Sequence, residues 1–305
     1  MFDVICIGSA TTDIFLETGL KEVNRKIAYP VGDKIPLTKI DFEVGGGGVN
    51  VSAGLSKMGL KTAYLGKIGN DESGRRILRK LKKEKVKFIG KISNGNSGYG
   101  IVLDSFEKNR TILTYHGLTD NLKEKDIKYS SIKSKWIFFS TLREDSLRTE
   151  IKILEHCQAK GIKTAFNMDA RPLKKQDIDV KKILKKIDFL ILNKEEAQLI
   201  VNGDSKKELA QKLYDLGPKT VVITDGDQEV ISFDGAFNSI MPHKIKAKEK
   251  TGAGDAFTSG FLASLIKTQN IEKSLKMGLA NSESVIQHFG SQKKLLTWKE
   301  AIKKI

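Results

Sequence analysis

Apolar positions along the chain follow two rhythms. Short unbroken apolar runs recur at DVICIG (3–8), TAYLGKIG (62–69), WIFFST (136–141), KTAFNMD (163–169), FLILN (189–193) and TVVITD (220–225). They have strand length and little polar alternation, the pattern of strands buried on both faces of a sheet. Between them, apolar residues recur at helical spacing at 49–58, 72–84, 145–160, 194–201, 205–216, 254–268 and 271–288. Alternating strand and helix predicts an α/β fold with a mostly parallel sheet and helices on both sides. Two segments break the rhythm. Residues 12–43 carry extended patterns around DIFLE, KIAYP and IDFEV, and residues 98–116 read as two strands joined at SFEKN. Together they predict a discontinuous β lid (12–43 and 98–116) over a core made of 1–11, 44–97 and 117–305. A decorative edge sheet is the plainer alternative.

The chain has 305 residues, 39% of them hydrophobic, enough for one large domain or two moderate ones around a buried core. No apolar run approaches the roughly 20 residues that cross a bilayer. The start, MFDVICIGSATTDIFLE, is acidic at Asp3 and lacks the basic region of a signal peptide. Cys6 and Cys157 lie far apart in apolar surroundings, which argues for a reducing compartment and against a disulfide or zinc site. A cytoplasmic protein is expected. The net charge of +16 raises the question of nucleic acid. Its densest stretch, RRILRKLKKEKVK (75–87), sets Ile77, Leu78 and Leu81 at helical spacing, so it reads as a solvated helix face over an apolar stripe. No nucleic-acid or membrane partner is expected, although the charge can still draw anionic nucleotides.

Chemistry concentrates in KEKTGAGDAF (248–257). Gly252 and Gly254 allow a tight turn with the backbone close to a ligand. A helix opening there offers unpaired N–H groups and a positive dipole end, a cradle for phosphate. That end should also favour ionised Asp255, ready to take a proton. An anion cradle beside a proton acceptor is what phosphoryl transfer to an alcohol requires. A plain helix cap at Asp255 remains the other reading. Four further glycines, Gly45–Gly48, precede Asn50 and a helix of small residues. They fit neither a Walker loop nor a dinucleotide fingerprint. Asn50 can both donate and accept, which suits vicinal hydroxyls.

In this order, GSATTD, GGGGVN, LGKIGNDESG, NKEE and TGAGDAF resemble the ribokinase-like (PfkB) family of carbohydrate and nucleoside kinases, over essentially the whole length. The resemblance implies a three-layer α/β/α core with a small β-sheet lid. It implies Asp255 as catalytic base and Gly252, Ala253 and Gly254 as anion hole. Asp13, Gly45, Gly46 and Asn50 match sugar-hydroxyl ligands. Asn193 and Glu196 match the pair that positions nucleotide phosphates and the water shell of Mg²⁺. Thr224 and Gly226 match a nucleotide loop, and Asn281 a residue near adenine. Arg110, in the lid hairpin with His116, is a candidate for a substrate phosphate or carboxylate.

Some positions depart from the family pattern. Glu249 and Lys250 stand where members often carry Asp-Thr, which leaves potassium dependence open. Gly47 stands where ribokinases carry lysine. FNMDARP (166–172) is similar to a stretch of sugar-acid and fructose kinases with Asn167 and Asp169 exchanged. The expected activity is ATP- and Mg²⁺-dependent phosphorylation of a sugar hydroxyl. A nucleoside kinase is the near alternative, with Phe15, Phe42, Tyr99 and Tyr115 as a base clamp; a non-catalytic binding protein is the remoter one. Lid edges can pair across a homodimer.

Overall fold

The computed structural model describes residues 1–24, 26–106, 109–175, 178–288 and 290–305. The first strand, β1 (Phe2–Ile7), is apolar on both sides, and it buries both. Ile5 and Ile7 join one hydrophobic cluster, while Val4 and Cys6 join another across the sheet. Strand alternation alone therefore demands cover on two faces.

In chain order, β1 is followed by β2 (Thr11–Glu17), β3 (Lys39–Gly45), α1 (Gly47–Lys57), β4 (Thr62–Leu65), α2 (Glu72–Lys83) and β5 (Lys87–Phe88). Next come β6 (Gly98–Asp104), β7 (Arg110–Tyr115), β8 (Ser134–Ser140), α3 (Glu144–Lys160), β9 (Lys163–Asn167) and β10 (Phe189–Asn193). The remainder holds α4 (Lys194–Ile200), α5 (Lys206–Tyr214), β11 (Thr220–Thr224), β12 (Val230–Phe233), β13 (Phe237–Ile240), α6 (Ala253–Thr268) and α7 (Ile271–Ile286). The main sheet has the order β13-β12-β11-β10-β9-β8-β1-β4-β5. Its pairs are parallel except at one edge, where β12 and β13 run antiparallel. Helices α1, α6 and α7 supply Leu55, Phe261 and Met277 to one cluster. Helices α3 and α5 supply Leu154 and Leu209 to the other.

Strands β7-β6-β2-β3 form a separate four-stranded sheet. Its central pair, β2 and β6, is parallel and both outer pairs are antiparallel. This is the small sheet expected from residues 12–43 and 98–116; within its β6–β7 connection, residues 107 and 108 lie outside the described residues. The basic stretch is α2 and its continuation, with Ile77 and Leu81 buried. Glu72 draws in Arg75, Arg76 and Arg79 at 3.0, 3.3 and 2.9 Å. Cys6 and Cys157 are free and buried. Among the described residues, no helix is long and apolar enough to cross a membrane.

Candidate active site

The loop 248–252 feeds the chain into α6. The N–H groups of Lys248 and Glu249 donate to Ile286 O at 2.8 and 3.1 Å, which fixes the loop against the end of α7. Gly252 is the N-cap, with φ 80°. A Cβ there would lie 2.5 Å from Ser291 Cβ, so conformation and space both require glycine. Ala253 N–H is turned back onto Lys250 O at 3.2 Å. The N–H groups of Gly252, Gly254 and Asp255 have no acceptor among the described residues. The open amides are thus not quite those expected from the motif, because Ala253 is occupied and Asp255 takes its place.

Asp255 is the third residue of α6. Its Oδ2 accepts from Asn50 Nδ2 of α1 at 2.8 Å. The side chain is enclosed by protein yet keeps part of its surface open to solvent. Burial pushes its carboxyl up to about 6 from the ordinary 3.8, and the Asn50 hydrogen bond pulls it only part of the way back. The expectation that the helix end favours the ionised form is therefore corrected: desolvation outweighs it. Near pH 6 the group stands close to half-protonated, the range of an effective general base.

The glycine run joins this acid to a second one. A Cβ at Gly47 would lie 3.6 Å from Asp255 Oδ1, and one at Gly45 would lie 2.2 Å from Asp13 Oδ2. On the other side of Asp13, a Cβ at Gly100 would come within 2.4 Å of Oδ1. The Asp13 carboxylate thus sits in a slot that a side chain at Gly45 or Gly100 would fill. Gly46 between them is the N-cap of α1. Burial raises the Asp13 carboxyl, the Thr11 hydroxyl at 3.0 Å lowers it in part, and the charge of Glu43 adds to the rise. A cavity of about 120 Å³ under the small sheet is lined by Asp13, Phe15, Tyr99, Gly100, His116 and Thr251, among others. Thr251 brings the TGAGD loop to the cavity wall. Asp255 does not itself line it.

At the C-terminal ends of the parallel strands, Asn193 and Thr224 are register partners on β10 and β11. Asn193 caps α4. Its Oδ1 accepts from Glu196 N–H at 2.8 Å, and Glu196 Oε2 accepts from Asn193 N–H at 2.9 Å. This reciprocal capping box holds Glu196 at the same sheet end as Thr224. Gly226 follows, exposed, with φ 59°. No group of three or more His, Cys, Asp or Glu able to hold a metal exists among the described residues. A divalent ion that keeps its waters and leans on substrate phosphates and a carboxylate such as Glu196 fits that donor set.

Two expectations change. Asn281 is fully buried: its Nδ2 donates to Ala256 O at 2.8 Å and Ser259 Oγ at 3.1 Å, and its Oδ1 accepts from Leu296 N–H at 2.9 Å. These three bonds tie α7 to α6 and the C-terminal segment and leave one lone pair of Oδ1 unused, so the side chain is a buried strut in this structure. Arg110 is paired with Glu249, which is 8% exposed and whose Oε1 also accepts from Thr251 N–H at 2.9 Å. Its charge is already countered, and the ion pair joins the small sheet to the TGAGD loop. Phe42 packs away from the cavity, under Arg76 at 4.5 Å. The Arg171 side chain of FNMDARP lies outside the described residues. Gln292 and Ser291, which the motifs did not single out, both donate to Asn50 Oδ1, at 2.8 and 3.3 Å. Such contacts lie far apart in sequence and leave no local signal.

A three-layer core carrying a separate four-stranded sheet is the ribokinase-like arrangement, and the class is that of phosphotransferases with an alcohol acceptor. The chain belongs to the pfkB family of carbohydrate kinases, whose model matches residues 1–298. It is similar to an uncharacterized sugar kinase from Archaeoglobus fulgidus, with 28% identity over 258 residues, 79% of this chain and 98% of that protein. It is 24% identical to the cytidine kinase of Thermococcus kodakarensis over 309 residues, 95% of this chain and 98% of that protein. Arabidopsis thaliana ribokinase, solved complexed with ribose and ATP, superposes with a TM-score of 0.83 at 20% identity, covering 99% of this chain and 98% of that one.

Proposed function

We propose that the chain transfers the γ-phosphoryl group of ATP to a primary hydroxyl of a sugar or sugar-like acceptor. One observation supports this above the others. The glycine run 45–48 brings a buried carboxylate with a raised pKa, at a helix start with open amides, next to a second carboxylate that faces a cavity. Asp13 accepts hydrogen bonds from two sugar hydroxyls, with Gly45 leaving room beside it, while Gly46 lets the chain pass close to the Ser9 carbonyl on its way into α1. Asn50 spends one Nδ2 hydrogen on Asp255 and has a second for the acceptor. Asp255 takes the proton of the attacking hydroxyl, and the amides of Gly252, Gly254 and Asp255 meet the charge on the phosphoryl oxygens. Thr224 and Gly226 border the nucleotide. Asn193 and Glu196 would hold Mg²⁺ through its waters, and the ion when bound neutralises phosphate charge. The small sheet (12–43 and 98–116) acts as a lid that excludes water. Its far face leaves Ile40, Phe42 and Leu113 exposed, a surface for pairing with a second copy. Two buried thiols fit a cytoplasmic setting.

A second reading has an observation of its own. Phe15, Tyr99 and Tyr115 line the cavity and can clamp a base, as a nucleoside kinase needs. The test is ADP release with ATP and Mg²⁺ across sugars, sugar acids, sugar phosphates and nucleosides. Turnover of a sugar supports the proposal. Turnover confined to nucleosides supports the second reading, and a chain that binds ATP but turns over no acceptor overturns both.

A further inference from the structure

Gln292 lies in the loop after α7, outside every catalytic motif. Its Nε2 donates to Val44 O at 2.7 Å and to Asn50 Oδ1 at 2.8 Å. Ser291 Oγ donates to the same Oδ1 at 3.3 Å. Asn50 Nδ2 in turn donates to Asp255 Oδ2 at 2.8 Å. The polarity of this relay is fixed from one end. An ionised carboxylate only accepts, so Asn50 must give Asp255 its nitrogen and residue 292 its oxygen. The Ser291 hydroxyl can turn to donate or accept and fixes no polarity; the Val44 carbonyl accepts only, so it holds the Gln292 NH₂ toward itself and toward Asn50 Oδ1, and one NH₂ group serves the two. Gln292 Oε1 is left buried without a partner among the described residues. A buried acceptor left unpaired is unfavourable, so the amide is held this way round by what its nitrogen does.

We infer that Gln292 is a positioning residue for the phosphoryl transfer: it locks the Asn50 amide in the orientation that donates to Asp255. Through Val44, the residue before Gly45, it also ties that donor to the root of lid strand β3. The inference rests on the reading of Asp255 as general base. Around Asp255, α1 contributes uncharged Asn50, and Asp13 lies across the glycine run. On the adjoining loops Glu249 is paired with Arg110 and Lys293 with Glu43 at 3.1 Å. None of these cations is free to replace the hydrogen bond.

The test is the pH dependence of kcat for Gln292→Met, which keeps length and removes the donor, and for Gln292→Glu, which sets an acceptor against two acceptors. A hydrogen bond to a carboxylate is worth about one pH unit in its titration. Gln292→Met should therefore lose about fivefold in kcat at pH 6 and less than about twofold at pH 8.5, with KM for ATP unchanged. Gln292→Glu should move the acid limb at least as far. A loss equal at both pH values would mean mere structural damage and overturn the inference, as would a folded Gln292→Met with the unmodified acid limb. Should the variants not fold, the unmodified chain still decides. The side-chain amide resonances of Asn50 and Gln292 should titrate together, with a midpoint near the value of about 6 for Asp255; a Gln292 amide that ignores that titration overturns the relay. This readout needs no turnover, so an inactive chain would sink the kinase reading and leave the relay separately judged.

Discussion

Replacing Asp255 by Asn should make the chain more stable and nearly inactive. Asn keeps an oxygen for the 2.8 Å bond from Asn50, so the local fold is preserved. Turnover loses the proton acceptor, a fall of about 10²- to 10⁴-fold in kcat. Stability moves the other way. The folded-state pKa of about 6 lies above the unfolded value of 3.8, so the folded state holds this proton more tightly. The ionised form is therefore destabilising at pH values above both, and that penalty fades as pH falls through 6 toward 4. A difference of about two pH units corresponds to about 3 kcal/mol at pH 7.5. The gain should be about half as large at pH 5, where the folded state is mostly protonated and the unfolded state mostly is not. Urea unfolding of both proteins at the two pH values gives the comparison, with ADP release as the activity assay. A variant that is less stable than the unmodified chain at pH 7.5, or whose gain is the same at pH 5, would refute the account of a desolvated base. Near-normal turnover would refute the assignment itself.

Three further outcomes follow from the same geometry. The rate of the unmodified chain should fall on acidification with an apparent pKa near the value of about 6 given for Asp255, read from kcat/KM between pH 5 and 8.5; a profile flat down to pH 5 would exclude a base of this kind. Gly100→Ala would place a methyl 2.4 Å from Asp13 Oδ1, so KM for the acceptor should rise at least about tenfold with ATP binding intact, measured by titrating each substrate separately. Asn281→Ala should lower stability by about 2–4 kcal/mol through three lost buried hydrogen bonds while KM for ATP stays within about twofold; a large change in ATP affinity without loss of stability would restore it to the nucleotide site.

The layers of the fold were readable because strand burial on both faces writes itself as unbroken apolar runs such as FLILN, and each long helix lies within a few residues of its expected span. The hairpin β12–β13 was missed: VISF is only four residues long, and Asp234-Gly235 is a turn signal that the short strands around it did not reinforce. Gly252 and Asp255 were legible because a helix start is local. The charge state of Asp255 was not, since a dipole can be inferred from position while desolvation depends on what packs over the site. The burial of Asn281 is illegible for a related reason. Spacing along α7 cannot say whether a polar residue faces an open cleft or the buried seam with α6. Arg110 reads in the sequence as a candidate anion-binding cation, but its partner Glu249 is 139 residues away in sequence.

That last pairing has a kinetic implication. On the proposed lid reading, the small sheet is a flap clasped by the Arg110–Glu249 pair, which must open before an acceptor enters or a product departs, and added electrolyte loosens a partly exposed clasp. Encounter with an anionic nucleotide should instead slow as salt dulls the pull of a strongly basic surface. Stopped-flow rates for the two substrates should thus diverge as ionic strength rises, acceptor entry quickening while nucleotide capture declines; parallel decline would show that the flap swings freely without its clasp.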